Sequence, residues 1–460
     1  MQKVFLYNTA SRQKEELVPV KENEVGIYSC GPTVYWNQHI GHMYAYTQWG
    51  TLVNFLRYVG YKVKWVMNLT DVGHLTSDAD TGEDKMEKGA AREGLTPWEI
   101  AKKYEKQFIE SLDLFNIQKP DILCRATEHI NEQIELAKKI EANGFSYKTE
   151  TGLVFDTSKF KDYAKFANLK LTEMDVGNRV KIDIEKKNPW DFLLWVTNQP
   201  NHIMKWNSPW GEGFPGWHLE CTAMSTKYLG ETFDIHTGGI EHIGVHHTNE
   251  IAQGYGAFGH QTANYWIHNA WLTLKGGEKM SKSLGNGYTA QQLVEMGYDP
   301  LAHKYLVLTS HYRKGLEFSI DSLKSSQTAL FKLRNLLSNW GDNGQINQDY
   351  KNQFIELMSN DLLTSEALAL IWKLTKDENI KNEDKKATIA DFDKVLDLDL
   401  NKKIEDEKIP QEIWDLVDKR KKVREEKNWL ESDRLREEIK NKGYLVEDLQ
   451  DECKIRKINK

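Results

Sequence analysis

The chain has 460 residues, of which 40% are hydrophobic and 11% aromatic, and its formal net charge is −7. A prior of one domain per ~150 residues predicts about three domains, and the acidic total excludes a global positive field while leaving room for local phosphate-binding patches. Four cysteines are too few for a disulfide framework, and the lack of a signal-like N-terminus or a run of ~18 apolar residues predicts a soluble, cytoplasmic chain with no membrane span.

In chain order, residues 25–29 read as a short buried strand. A loop follows through Cys30-Gly31-Pro32, then an aromatic-rich helix from about His42 to Tyr58, which Gly60 ends. Lys62 to Met67 alternates like a second strand. Strand, crossover helix and strand make a βαβ unit, hence a parallel sheet with its ligand site at the carboxyl ends of the strands. Residues 73–92 are polar, with three glycines, and read as a surface loop. Thr96-Pro97-Trp98-Glu99 opens a helix as a capping box with Pro at its first position. A helix near 128–142 ends at Gly144, and a hairpin turns at Thr149–Gly152. Apolar density returns at 190–274, and Leu330, Leu333, Leu336 and Leu337 mark a helical region from about 325 to 405.

The expected fold class is α/β: a Rossmann-type catalytic domain split by an insertion, then a helical region and a small mixed C-terminal domain. The boundaries are 1–120 and 201–274 for the two halves and 121–200 for the connective insertion. A loop-bearing segment spans 275–325, a helical bundle 326–408, and a very charged end 409–460.

Two strings carry phosphate chemistry. His39-Ile40-Gly41-His42 lies between a strand and a helix start, where imidazoles, unpaired N–H groups and the dipole can all face a phosphate. Lys279-Met280-Ser281-Lys282-Ser283 is flanked by glycines, so its lysines can swing onto polyphosphate. Either string alone is weak, since histidine pairs and lysine-rich loops are usually structural or solvated. In this order, however, the pair resembles the two signature motifs of the class I aminoacyl-tRNA synthetases. The flanking text is similar to the cysteinyl family: Cys30-Gly31-Pro32-Thr33-Val34-Tyr35, Pro215-Gly216-Trp217-His218-Leu219-Glu220-Cys221, and His246-His247-Thr248-Asn249-Glu250.

That resemblance implies the rest of the chemistry. It implies a cysteine–tRNA ligase that forms cysteinyl-adenylate from L-cysteine and ATP, then passes the cysteinyl group to the 3′ end of tRNA(Cys). His39, His42, Lys279 and Lys282 are the expected catalytic residues, with Gly41 also on the ATP and Mg²⁺ as its companion. One Zn²⁺ is expected on Cys30, Cys221, His246 and Glu250. Their spacing alone does not make that case, because buried free cysteines are the commoner reading, but two thiolates, an imidazole and a carboxylate suit the metal. Zinc prefers sulfur to a hydroxyl, which supplies a cysteine-over-serine choice that pocket shape alone provides poorly.

Head-group contacts are implied at Gly31, Thr70, Trp217 and Glu241, with His218, His236 and His268 lining the pocket. The family's anticodon-reading end corresponds to Arg424, Trp429, Asp433 and Asp448. A monomer is expected. The chain departs from the family pattern in four places: Val72-Gly73-His74 and the insertion before Asp84-Lys85, Glu241 where Asp is usual, Gly244-Val245 where Phe-Pro is usual, and Phe214 where a basic residue is common. The rival readings are a cysteine ligase with a small-amine acceptor and a non-catalytic RNA-binding paralogue.

Overall fold

The computed structural model describes residues 2–73, 84–169, 185–274, 276–278, 280, 287–402, 410–448 and 453–457. A short antiparallel hairpin, β1 (Phe5–Asn8) and β2 (Gln13–Glu16), precedes the central sheet. Strand β3 (Glu24–Ser29), helix α1 (Ile40–Tyr58) and strand β4 (Lys62–Leu69) form the expected βαβ unit. Fourteen of the nineteen residues of α1 are buried, so it runs through the interior rather than along a surface.

After β4 the structure corrects the sequence reading. Residues 85–93 are not loop but a helix, α2 (Lys85–Glu93). Asp84 caps it, accepting from the Glu87 N–H at 2.8 Å, and Gly94 ends it in the left-handed region at φ 67°. Gly89, which read as a loop glycine, lies on the helix where a Cβ would come within 3.0 Å of the Tyr35 carbonyl. Close packing, not a turn, selects glycine there. Helix α3 (Pro97–Leu114) begins with the capping box read from sequence: Thr96 N donates to Glu99 Oε2 at 2.8 Å and Glu99 N to Thr96 Oγ1 at 3.3 Å.

Strand β5 (Ile122–Arg125) pairs with β4 in the central sheet, although the division at residue 121 assigns it to the insertion. Helix α4 (Ile130–Ala142) leads into a four-stranded antiparallel sheet: β6 (Ser146–Thr149), β7 (Gly152–Phe155), β8 (Phe192–Thr197) and β9 (Gly213–Pro215). The first two strands are the hairpin read from sequence. The chain then returns through α5 (Trp217–Leu229), β10 (Phe233–Gly239), α6 (His246–Phe258) and β11 (Ala263–Asn269).

The five central strands are all parallel in the order β11-β10-β3-β4-β5. From β3 the chain winds one way to β4 and β5; from β10 it winds the other way to β11. The crevice between the carboxyl ends of β3 and β10 is therefore the switch point at which open α/β sheets bind ligands. Cys30 directly follows β3, and Gly239 and Glu241 follow the start of the other winding.

Strand β12 (Leu272–Leu274) pairs in parallel with β13 (Leu316–Phe318), which lies beyond the short helices α7 (Ala290–Glu295) and α8 (Pro300–Leu308). Helices α9 (Ile320–Ser338), α10 (Gln348–Ser359), α11 (Thr364–Thr375) and α12 (Asn382–Leu396) form the helical region. Leu330, Leu333 and Leu337 are fully buried there and Leu336 partly so. Their cluster is continuous with the residues under α1, so one core serves both parts.

The junction is fastened by Asp361, between α10 and α11. Its N–H donates to the Phe5 carbonyl at 2.8 Å, and its carboxylate accepts from Tyr7 N at 2.9 Å, Tyr312 Oη at 2.5 Å and Arg313 Nη2 at 2.7 Å. Asp361 and Leu362 both have positive φ, 64° and 55°, a conformation that costs about 1 kcal/mol or more per non-glycine residue and that these bonds hold. The last domain, α13 (Gln411–Glu425), α14 (Trp429–Asn441) and the hairpin β14 (Tyr444–Asp448) and β15 (Cys453–Lys457), has its own small core around Ile413, Leu435 and Ile439.

Candidate active site and metal centre

His39 is the N-cap of α1. Its Nδ1 accepts from the Gly41 N–H at 3.1 Å, while His42 Nδ1 accepts from the His39 N–H at 3.2 Å. Both imidazoles therefore spend Nδ1 on capping, which fixes the neutral tautomer with the proton on Nε2. The rings lie 3.9 Å apart. Two Nε2 donors thus flank a helix N-terminus, an arrangement suited to phosphate oxygens. A Cβ at Gly41 would sit 2.9 Å from the His39 ring, so a larger residue would push the cap aside.

The structure sets residues 287–289, which follow the second string, against the first. Ile40 N donates to the Tyr288 carbonyl at 2.8 Å, His39 bridges to Thr289, and a Cβ on Gly287 would lie 3.2 Å from His39 Cβ. Met280 is buried. Lys279 and Lys282 themselves lie outside the described residues.

The four residues that the resemblance assigns to a metal are brought together from four places: the end of β3, the middle of α5, and two successive turns of α6. Cys30, Cys221, His246 and Glu250 each offer a donor atom, all within 4.8 Å of one another. Cys30 is held by its N–H to the Thr237 carbonyl at 3.1 Å, and Gly31 N donates to Asn68 Oδ1 at 2.8 Å. At Gly31 a Cβ would fall 1.7 Å from the Asn68 carbonyl, so no other residue fits without moving β4. Burial and the Glu250 and Glu241 carboxylates push the Cys30 thiol up, against a hydrogen bond from Cys221. The Cys221 thiol is also raised, chiefly by that hydrogen bond and by burial.

A tetrahedral zinc with sulfur, nitrogen and oxygen ligands has donor-to-donor edges of roughly 3.3–3.8 Å. Glu250 Oε1 lies 3.2 Å from His246 Nε2, yet among the described residues it accepts no hydrogen bond although it is fully buried. A buried, unbonded carboxylate oxygen aimed beside an imidazole and two thiols fits a divalent cation, which relieves the cost of leaving it unsatisfied.

A second donor set overlaps the first: Cys30, His236, His247 and Glu250. Its two histidines are already engaged. His236 Nε2 lies 2.9 Å from Glu250 Oε2, and His247 Nε2 3.4 Å from Cys30 Sγ. His247 Nδ1 in turn meets His268 Nε2 at 2.7 Å, and His268 Nδ1 meets Thr9 Oγ1 at 2.8 Å. His218 Nδ1 stands 2.9 Å from His246 Nδ1. Such partners orient ligands. Burial, then the neighbouring imidazoles, hold His247 and His268 well below the usual histidine range, so both are neutral. His247 was missed from sequence, where the only signal is its place beside His246.

The other predicted pocket residues divide. Thr70 is buried with its hydroxyl donated to Glu220 Oε2 at 2.9 Å and accepting from Asn68 Nδ2 at 3.1 Å. Glu220, buried on α5 and given no role of its own in the sequence reading, is thus the partner that fixes it. Trp217 begins α5 with its ring 4.4 Å from that of His246. Glu241 accepts from Trp271 Nε1 at 2.7 Å. In the last domain Trp429 is 59% exposed, the Arg424 guanidinium lies 6.0 Å from its ring centre, and Asp433 is exposed one turn along α14. Asp448 closes β14, and its side chain lies outside the described part.

Residues 16–328 match the family model of the class I tRNA synthetase (C) catalytic domain. The fold agrees: methionyl-tRNA synthetase from Mycobacterium tuberculosis, in complex with methionyl-adenylate, superposes with a TM-score of 0.56 at 16% identity, over 82% of this chain and 90% of that one. A cysteine–tRNA ligase from Burkholderia lata is 45% identical over 96% of this chain and 94% of its own length. One from Treponema denticola is 41% identical, over 96% and 97%. The chain belongs to the cysteinyl-tRNA synthetase family.

Proposed function

We propose that this chain ligates L-cysteine to tRNA(Cys) at the expense of ATP. The observation that carries the reading is the convergence of Cys30, Cys221, His246 and Glu250 in the switch-point crevice, at the same carboxyl edge of the sheet as the N-terminus of α1 with His39 and His42. In the first step an oxygen of the cysteine carboxylate attacks the α-phosphorus of ATP, and the bond to pyrophosphate breaks. In the second, a ribose hydroxyl at the 3′ end of the tRNA attacks the acyl carbon, AMP leaves, and the hydroxyl proton passes to solvent or to the phosphate.

The chain's groups act by position and charge rather than as nucleophiles. The Nε2 donors of His39 and His42 bind phosphate oxygens at the α1 N-terminus, where Gly41 lets the nucleotide approach. Lys279 and Lys282 follow with ammonium charge for the leaving pyrophosphate, and Mg²⁺ accompanies the nucleotide. Gly31, Thr70, Trp217 and Glu241 surround the amino acid head group. Zinc held by Cys30, Cys221, His246 and Glu250 would supply a soft Lewis acid that favours a thiolate over a hydroxyl. With His246 Nε2 as the ligand atom its Nδ1 carries the proton and donates to His218, and His236 steadies the other oxygen of Glu250.

Arg424, Trp429, Asp433 and Asp448 form the proposed anticodon face, and the chain works as a cytoplasmic monomer. Among the described residues no helix is long and apolar enough to cross a membrane. The test is metal analysis together with pyrophosphate exchange and tRNA acylation. Stoichiometric zinc, exchange with cysteine but not serine, and acylation of tRNA(Cys) are expected; serine exchanging as well as cysteine would overturn the metal-based selectivity.

A further inference from the structure

Glu241 stands at the mouth of the amino acid site on a turn that follows β10. Its carboxylate folds back over that strand end: a Cβ on Gly239 would lie 2.3 Å from Oε2. The turn lies at the carboxyl end of β10, on the switch-point crevice. Glutamate is one methylene longer than the aspartate usual at this position, and it carries one more rotatable bond. Left alone on an exposed turn, such a side chain samples several rotamers, and ordering it on binding costs affinity.

The structure supplies a second residue. Trp271 Nε1 donates to Glu241 Oε2 at 2.7 Å. The indole is itself anchored through its backbone. Leu316 N donates to the Trp271 carbonyl at 3.1 Å, and the preceding Ala270 N donates to the Tyr312 carbonyl at 2.8 Å. Gly315 packs so closely that a Cβ there would meet the Trp271 carbonyl at 3.0 Å. One carboxylate oxygen is thus pinned by a fixed donor, which limits the rotamers open to the group and leaves Oε1 as the acceptor to be presented.

We infer that Trp271 is a positioning residue for α-amine recognition: it holds the longer Glu241 side chain so that Oε1 meets the ammonium of the incoming amino acid. The inference rests on the proposed cysteine activation. Tryptophan, with a single donor and no charge, suits this task; a lysine there would neutralise the carboxylate that must attract the amine.

The test compares pyrophosphate exchange with cysteine and with 3-mercaptopropionate, which keeps thiol and carboxylate but lacks the amine. Trp271→Phe retains the ring and removes the N–H. It should lower the cysteine-over-mercaptopropionate ratio of kcat/KM by about fivefold, the scale of one charge-assisted hydrogen bond at a half-exposed position. The loss should fall on the cysteine KM, with kcat, the ATP KM and zinc content unchanged. In a Glu241→Gln background the same change should have no further effect on the ratio. An unchanged ratio in Trp271→Phe overturns the inference, and so does a uniform fall in both substrates with lost metal, which marks a merely structural role. Should Trp271→Phe fail to accumulate, Glu241→Gln alone must depress the ratio. A parent enzyme without cysteine-dependent exchange removes the underlying reading instead, and this inference with it.

Discussion

The metal crevice and the last domain hold their functional groups in opposite ways. At the crevice, Cys221, His246, His247 and Glu250 are all buried, and each imidazole or carboxylate is oriented by a named neighbour. In residues 411–448 the core is small, and Trp429, Leu430 and Trp414 stand exposed. Buried polar groups in a low-dielectric interior are strongly coupled and fix one geometry. Exposed aromatic faces instead offer stacking area to single-stranded RNA, which brings its own bases. In the proposed function the first region selects by chemistry fixed in advance, the second by surface offered to a partner.

The largest blow to this contrast comes from Cys221→Ala. It should abolish metal binding and reduce cysteine-dependent exchange by at least ~10³-fold, while tRNA affinity stays, as metal analysis, exchange assays and filter binding can show. A loss of less than tenfold would mean that the crevice does not depend on an ion. Trp429→Ala reverses the pattern: aminoacylation kcat/KM should fall by about 1–3 kcal/mol, the worth of one base stack, with exchange and melting temperature untouched.

Buried titratable groups should also set the pH response. His303 on α8 is fully buried against Phe115, and among the described residues neither ring nitrogen has a partner. Burial lowers its pKa to about 3. The unfolded chain takes up this proton near pH 6.5 and the folded chain does not, so the stability present at neutral pH is lost as pH falls from 6.5 towards 3. At pH 5 the loss is about 2 kcal/mol. His303→Leu should flatten the fall in melting temperature between pH 7 and pH 5. At the small end, Arg434→Ala removes the exposed pairs to Glu431 and Glu438, and calorimetry should resolve no change in melting temperature.

Much of this was legible before any coordinates. The βαβ unit follows from alternation at 62–67 and an aromatic helical run ending at Gly60, and α3 from one capping box, because these signals are local. Helix α2 was not, since its apolar face is short and Gly89 reads as a turn until Tyr35 is seen against it. The four proposed metal ligands rest on resemblance alone at the level of sequence, because nothing local ties Cys30 to Cys221. Glu220 and His247 escaped for the same reason: each acquires meaning only from a partner far away in sequence. Asp361 is a further case, a single acidic residue whose contacts come from Phe5, Tyr7, Tyr312 and Arg313.

The long span between the metal ligands has a consequence for the life of the protein. Cys30 leaves the ribosome 220 residues before Glu250 (250 − 30), which at 5–20 residues per second is roughly 10–45 s. For that interval its thiol lacks the full donor set, and for the first 191 residues (221 − 30) it lacks Cys221 as well; on the proposed function, an oxidant that reaches it then would leave an enzyme unable to choose its amino acid. Resistance to oxidative stress should therefore be weakest during synthesis, and greatest once the first two turns of α6 have brought His246 and Glu250 to the sulfur.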